Sequence, residues 1–107
     1  MSDWIKVCML SDIPKLGARV LQAARGDIAI FRTGDDQVFA LNDHCPHRGG
    51  PLSQGIVAGN TVTCPLHSWK IDLATGQVEA PDEGHTPCLL TRIDADQSVW
   101  LQRKHGA

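Results

Sequence analysis

The chain has 107 residues, with 10 basic and 12 acidic side chains and a formal net charge of −2. This balance, without a basic run, argues against nucleic acid as a partner. No apolar run approaches the roughly 18 residues of a membrane-spanning helix, so we expect no membrane segment. The first six residues, 1–6, read as a strand-like alternation and not as a signal peptide, which predicts a cytoplasmic protein.

The length is that of one domain, and we expect residues 1–107 to form a single unit. Short β-rich or alternating runs recur along it, at 4–8, 18–23, 27–32, 37–41, 61–64, 69–72, 88–94 and 98–102. Turn residues separate these runs, which predicts an all-β fold, an antiparallel β-sandwich or barrel. The best helical candidate is one turn at 11–14, where Ser11 could cap and Pro14 is tolerated early.

Two short segments each combine a cysteine with a histidine. The first arm is Cys45-Pro46-His47, the second arm is Cys64-Pro65-Leu66-His67, and 16 residues separate His47 from Cys64. Both arms follow the end of a predicted strand, and residues 49–55 between them are a loop by composition. Two such loops at the tips of neighbouring hairpins would hold a metal centre between them.

Two metals fit the four ligands. A zinc ion would be satisfied by two Cys and two His, and a 2Fe–2S cluster can use two His in place of two Cys on one of its irons. Structural zinc sites usually group like ligands, as C-x₂₋₄-C and H-x₃₋₅-H, whereas each arm here mixes Cys with His. The mixed order favours the two-iron cluster, and a zinc-stabilised binding module or two unrelated Cys–His pairs remain the alternatives.

The four cysteines could instead form two disulfides. The absence of an export signal argues against this, because the cytosol keeps thiols reduced. We therefore expect Cys45 and Cys64 to bind metal, and Cys8 and Cys88 to be buried small apolar residues. A disulfide between Cys8 and Cys88 remains an alternative.

The segments 45–52 and 64–69 resemble the C-x-H…C-x-x-H box of Rieske 2Fe–2S proteins. More narrowly, nearly the whole chain resembles the small subunit of assimilatory NAD(P)H-dependent nitrite reductases. The flanking segments that carry this narrower resemblance are 4–8, 12–14, 17–20, 31–33, 36–41, 49–55 and 80–84. Residues 81–84 also resemble the proline-bearing third loop that covers Rieske clusters.

The resemblance implies an antiparallel β domain in which a loop-rich subdomain, approximately 43–85, carries a Rieske-type 2Fe–2S cluster at one tip. It also implies that Cys45 and Cys64 bind the inner iron and that His47 and His67 bind the outer iron, with no catalytic residue in this chain. The implied role is electron transfer to a large subunit that carries flavin, a further iron–sulfur cluster and the sirohaem at which nitrite becomes ammonium. The alternative is a stand-alone Rieske ferredoxin that supplies an oxygenase.

The resemblance to Rieske proteins also predicts that the cluster has a low reduction potential. High-potential Rieske proteins carry a loop disulfide, with a Ser two residues and a Tyr four residues beyond the second His. Here those two positions are Trp69 and Ile71, and the chain contains no Tyr. Hydrogen bonds to the cluster sulfurs raise the reduction potential, and neither of these two side chains has a hydroxyl group to donate. We therefore expect a midpoint potential near the lower Rieske limit of about −150 mV.

Overall fold

The computed structural model describes residues 4–22, 26–43, 51–65, 69–79, 84, 86 and 88–102. Within these residues the strands are β1 (Trp4–Met9), β2 (Gly17–Leu21), β3 (Ile28–Arg32), β4 (Val38–Asn42), β5 (Ile56–Ala58), β6 (Thr61–Thr63), β7 (Lys70–Asp72), β8 (Cys88–Ile93) and β9 (Ser98–Gln102). Two short 3-10 turns, Leu10–Asp12 and Leu52–Gln54, complete the described elements. None of these helical turns is long and apolar enough to cross a membrane.

The strands form two antiparallel sheets. One has six strands in the order β1-β9-β8-β4-β3-β2, and the other has three in the order β5-β6-β7. In β1 the register shifts between Lys6 and Cys8, an irregularity that increases strand twist and helps the large sheet to curl. The predicted all-β antiparallel fold is confirmed.

β3 is buried on both of its faces. Ala29 and Phe31 point into a first core and Ile30 points into a second, and all three are at most 1% exposed. Successive residues of a strand face opposite sides, so a continuous apolar run is what a strand between two cores requires. β4 continues this arrangement, with Leu41 in the first core and Ala40 in the second.

The first core joins the two sheets. From the three-stranded sheet it receives the row formed by Val57, Val62 and Ile71, which face one another across the three strands. From the large sheet it receives Phe31 and Leu41, which are fully buried. The small sheet is thereby held against one face of β3 and β4, and its position relative to the large sheet is set by apolar packing.

Four local predictions need correction. The helical turn is Leu10–Asp12 and not 11–14, and the Asp12 carboxylate caps it, because Oδ2 accepts from the backbone N–H of Met9 at 2.9 Å. The predicted loop 49–55 contains the 3-10 turn Leu52–Gln54, because Leu52 is fully buried in the first core. β5 was not predicted, since a three-residue run between two glycines carries too little pattern. The predicted run 18–23 begins one residue earlier, at Gly17, and the strand already ends at Leu21, because the described residue Gln22 is not part of it.

Candidate metal centre

The structure describes one of the four predicted ligands. Cys64 directly follows β6 and is 1% exposed, within the first core. Cys45, His47 and His67 fall on residues 44–50 and 66–68, which lie outside the described part of the chain. Their role as ligands therefore remains a prediction, and the described residues of the site are those at the bases of the arms.

The first arm is closed at its base by a side-chain contact. Asp43, which directly follows the strand-terminal Asn42 of β4, accepts two hydrogen bonds from Ser53. The backbone N–H of Ser53 donates to Oδ1 at 2.7 Å, and its hydroxyl donates to Oδ2 at 2.8 Å. The backbone N–H of Asp43 in turn donates to the carbonyl oxygen of Asp27 at 2.9 Å. Residues before and after the first arm are thus bonded to each other and to the segment that enters β3.

Gly55, which follows the first arm in the chain, lies directly against β6, the strand that leads to the second arm. A Cβ atom added at Gly55 would come within 2.3 Å of the Thr63 carbonyl oxygen and 2.9 Å of Val62 Cγ2. Only glycine permits this approach of the two backbones. Because Thr63 immediately precedes Cys64, the close packing fixes Gly55, eight residues after His47, beside the start of the second arm.

The second arm is closed by a backbone hydrogen bond. The N–H of Cys64 donates to the carbonyl oxygen of Trp69 at 2.7 Å, just beyond the last pair of the β6–β7 ladder, Thr63 with Lys70. The Cys64 side chain belongs to the same apolar cluster as Ile71 and Leu73, each at most 1% exposed. Its sulfur therefore sits in an environment from which water is largely excluded.

A third segment, 79–88, connects the small sheet to β8 of the large sheet, and the structure describes it at residues 79, 84, 86 and 88. The N–H of Glu79 donates to the Lys70 carbonyl at 2.8 Å, beside the base of the second arm. At its other end Cys88 pairs with Leu41 of β4, two residues before Asp43. Further bonds tie the segment at Gly84 and Thr86, whose partners are Val78 and Gly76. The segment therefore begins beside the base of the second arm and ends in β8, next to the strand that leads to the first arm.

Cys8 and Cys88 take the apolar roles that the sequence predicts for them, to different degrees. Cys8 is 8% exposed in the second core, and burial is the main cause that raises the pKa of its thiol. Cys88 is partly buried against the first core, with its sulfur 3.9 Å from the Ala74 carbonyl oxygen. Neither forms a disulfide.

The residues present fit a 2Fe–2S cluster with two Cys and two His ligands. A sulfur ligand in the Cys64 position lies at the apolar core, where the surrounding shell controls solvent access to a cluster. Ile71, at the position where a high-potential protein has Tyr, is fully buried and has no hydroxyl to donate. Hydrogen bonds hold the bases of both arms without needing a metal. Asp43, Ser53 and Gly55 were not identified from the sequence, because no local motif links positions that become neighbours only on folding.

Known proteins with similar sequences and folds include ferredoxins and nitrite reductase subunits. Ferredoxin CarAc of Metapseudomonas resinovorans is 36% identical over 88 residues, which span 81% of this chain and 77% of that protein. A solved protein from Mycobacterium tuberculosis assigned as an NADH-dependent nitrite reductase small subunit superposes with a TM-score of 0.85, at 20% identity over 97% of both chains. A second solved protein assigned as an NADPH nitrite reductase small subunit has a TM-score of 0.80 and 26% identity, covering 92% of this chain and 96% of its own.

Larger proteins are similar over part of their length. The 4beta-methylsterol monooxygenase of Methylococcus capsulatus is 50% identical over 46 residues, but these make up 43% of this chain and 12% of the monooxygenase. The model of the Rieske 2Fe–2S domain matches residues 3–90, which include both arms and β1 to β7. The chain therefore belongs to the Rieske 2Fe–2S domain family, and its cofactor is a Rieske-type 2Fe–2S cluster.

Proposed function

We propose that this chain is a low-potential electron carrier in which Cys45 and Cys64 bind one iron of the cluster and His47 and His67 bind the other. When bound, the cluster accepts and releases one electron at a time. The observation that carries the proposal is the burial of Cys64 in the first core, together with the hydrogen bonds that close the base of each arm. A ligand set held at the end of a rigid β scaffold suits a centre that exchanges electrons with a partner.

We further propose that the protein is a single domain, 1–107, with a cluster-binding subdomain at approximately 43–85. β5, β6 and β7 fall inside that range, and the six strands of the large sheet fall outside it. The division follows the two sheets and is supported by the separate packing of the second core, which has no member from β5 to β7 among the described residues. A cytoplasmic location is part of the same proposal.

The partner that we propose is the large subunit of an assimilatory nitrite reductase, which carries flavin, an iron–sulfur cluster and sirohaem and reduces nitrite to ammonium with NAD(P)H. Two observations support it. The resemblance to small subunits of these enzymes extends beyond the ligand box into segments that form β1, β3 and β4. A solved protein assigned as such a subunit is 26% identical over 92% of this chain, so the likeness spans nearly the full length.

A stand-alone ferredoxin that supplies an oxygenase is the second candidate. The specific observation that favours it is the 36% identity to ferredoxin CarAc over most of both proteins. A solved complex of oxygenase and ferredoxin in carbazole 1,9a-dioxygenase also contains a chain with a TM-score of 0.81 and 26% identity to this one. Both candidates use the same electron-transfer chemistry and differ in the acceptor.

Reoxidation kinetics separate the two candidates. The cluster-loaded chain is reduced anaerobically and mixed with either a sirohaem nitrite reductase large subunit plus nitrite or a Rieske oxygenase plus its substrate. We expect fast reoxidation, followed by visible absorbance, only with the nitrite reductase subunit. Fast reoxidation only with the oxygenase would replace the first candidate by the second. Nitrite reduction with NADH by this chain alone would contradict both.

A further inference from the structure

One carboxylate bridges the two ends of the first arm. Asp43 lies two residues before Cys45, and Ser53 lies six residues after His47. Both carboxylate oxygens are used, one by the Ser53 backbone N–H at 2.7 Å and the other by the Ser53 hydroxyl at 2.8 Å. Hydrogen bonds to an ionised acceptor are stronger than neutral ones, and two of them to one residue fix orientation as well as distance.

Both partners are themselves attached to the scaffold. Asp43 is held through its backbone N–H to Asp27, at 2.9 Å. Ser53 follows Leu52, whose side chain is fully buried in the first core. The Asp43–Ser53 contact therefore joins two anchored points, and it limits the conformations open to the nine residues between them, 44–52.

The contact also relates the first arm to the second. Ser53 is two residues before Gly55, which packs against the Thr63 backbone so closely that no Cβ fits between them. Thr63 directly precedes Cys64. A displacement of Ser53 would therefore change where the first arm stands relative to the buried sulfur of Cys64.

We propose that Asp43 and Ser53 are positioning residues for the cluster: their paired hydrogen bonds fix the two ends of the first arm, which allows Cys45 and His47 to bind the cluster together with Cys64 and His67. This inference rests on the proposed ligand assignment. It assigns Asp43 a role through the geometry of its hydrogen bonds and not through its negative charge.

Substitutions at Asp43 and Ser53 separate geometry from charge. Asp43→Ala removes both bonds. Asp43→Asn keeps both, since an amide oxygen can accept from the Ser53 N–H while the amide nitrogen donates to the Ser53 hydroxyl. Ser53→Ala removes one bond and leaves the other. The readouts are the rate of iron release to a chelator and the Rieske EPR spectrum of each loaded protein.

The turn between β8 and β9 offers a matched control. There Asp96 Oδ1 accepts from the Ser98 backbone N–H at 3.1 Å and from the Ser98 hydroxyl at 2.5 Å, at a site that belongs to neither arm. Asp96→Ala removes an equivalent pair of bonds from another part of the fold. Circular dichroism of all variants reports whether the β-sheets are retained.

We expect Asp43→Ala to speed iron release by roughly 10- to 100-fold and to shift or broaden the EPR signal, which is the usual cost of losing a residue that orients metal ligands. Asp43→Asn should stay within about threefold of the natural protein, because only the charge assistance is lost. Ser53→Ala should fall between the two, and Asp96→Ala should release iron at the natural rate.

Three outcomes overturn the inference. Natural release rates in both Asp43→Ala and Ser53→Ala would show that the contact does not position the arm. An Asp43→Asn protein that behaves like Asp43→Ala would assign the effect to charge. Faster release in Asp96→Ala would assign it to general loss of stability. If Asp43→Ala does not fold, Ser53→Ala and Asp43→Asn decide the matter. Failure of the ligand assignment is distinguished separately, by a His67→Ala protein that keeps a complete cluster with a natural Rieske spectrum.

Discussion

Arg32 and Asp36 form an ion pair at the turn between β3 and β4, in which Nε and Nη2 of the arginine both approach Asp36 Oδ1, at 3.0 Å and 2.9 Å. The third nitrogen, Nη1, donates to the carbonyl oxygen of Ile13 at 3.0 Å and of Leu10 at 3.3 Å. One half-buried arginine thus connects the β3–β4 turn to the 3-10 turn after β1.

This ion pair predicts a dependence of stability on pH. The hydrogen bond from Arg32 is the main cause that holds the pKa of Asp36 below its ordinary value, with a smaller contribution from Lys15. A lowered folded-state pKa stabilises the protein above the unfolded-state value of about 3.9, and this contribution is lost as the pH falls through the folded-state pKa. We expect Asp36→Asn to reduce the midpoint denaturant concentration at pH 7 and to have less effect near pH 2.

The measurement is urea unfolding of both proteins across that range, followed by circular dichroism. Asp36 has a positive φ of 65°, a conformation that asparagine also tolerates, so the substitution tests the charge and not the backbone. If Asp36→Asn lost the same stability at every pH, the lowered pKa of Asp36 would not be the cause of the pH dependence.

Gly55→Ala tests the close packing of Gly55 against Thr63, the residue before the second arm. The added Cβ would lie 2.3 Å from the Thr63 carbonyl oxygen, so the backbone must move apart. We expect a loss of about 1–3 kcal/mol in the free energy of unfolding, the usual range for overpacking a close contact, and a lower iron content after reconstitution. Thermal unfolding and iron analysis measure the two effects.

Gly34→Ala is the matched control for that substitution. A Cβ at Gly34 would meet only Leu16 Cδ2, at the ordinary contact distance of 3.5 Å. Its stability and iron content should remain close to those of the natural protein. Equal effects of the two glycine substitutions would show that the Gly55–Thr63 contact has no special importance.

His67→Ala should remove the cluster without unfolding the β-sheets. The first core unites Phe31 and Leu41 of the large sheet with Val62 and Ile71 of the small one, and this apolar burial needs no metal. We expect the visible absorbance and the Rieske EPR signal to disappear while the far-ultraviolet circular dichroism keeps its β character. Complete unfolding of the variant would contradict this separation of cluster and core.

The midpoint potential should lie well below zero, close to about −150 mV. The reason is the lack of side-chain hydroxyl donors at the two positions that raise the potential in high-potential Rieske proteins. Ile71 is fully buried and has no polar atom in its side chain, and Trp69 is partly buried beside the first core. Redox titration followed by circular dichroism or EPR measures the potential. A midpoint above about +100 mV would contradict the prediction.

Longer strands were predictable because their pattern is local. The runs at 27–32 and 98–102 became Ile28–Arg32 and Ser98–Gln102, within one residue at each end. β5 was missed because its residues, Ile56–Ala58, form a strand only through pairing with Thr61–Thr63. The predicted turn 11–14 begins one residue later and ends two residues later than the observed turn Leu10–Asp12, because Asp12 and not Ser11 satisfies the backbone at its start.

The class of cofactor can be predicted from the residues of the two arms. The donor types, their mixed order in two arms and the absence of tyrosine are properties of the residues at given positions, and no folding is needed to read them. The mixed order favours a two-iron cluster over zinc, and the resemblance of the arms to the Rieske box predicts a Rieske-type 2Fe–2S cluster, which the family match confirms. The absence of tyrosine predicts only the low potential.

The way in which the bases of the arms are held becomes visible only in the folded protein. Ser53 bonds to Asp43, ten residues earlier in the chain, and Gly55 contacts Thr63, eight residues later. The burial of Cys64 depends on the packing of the two sheets. Such contacts leave no periodic or spacing pattern in the sequence, because their geometry is set by the packing of whole strands around a shared core.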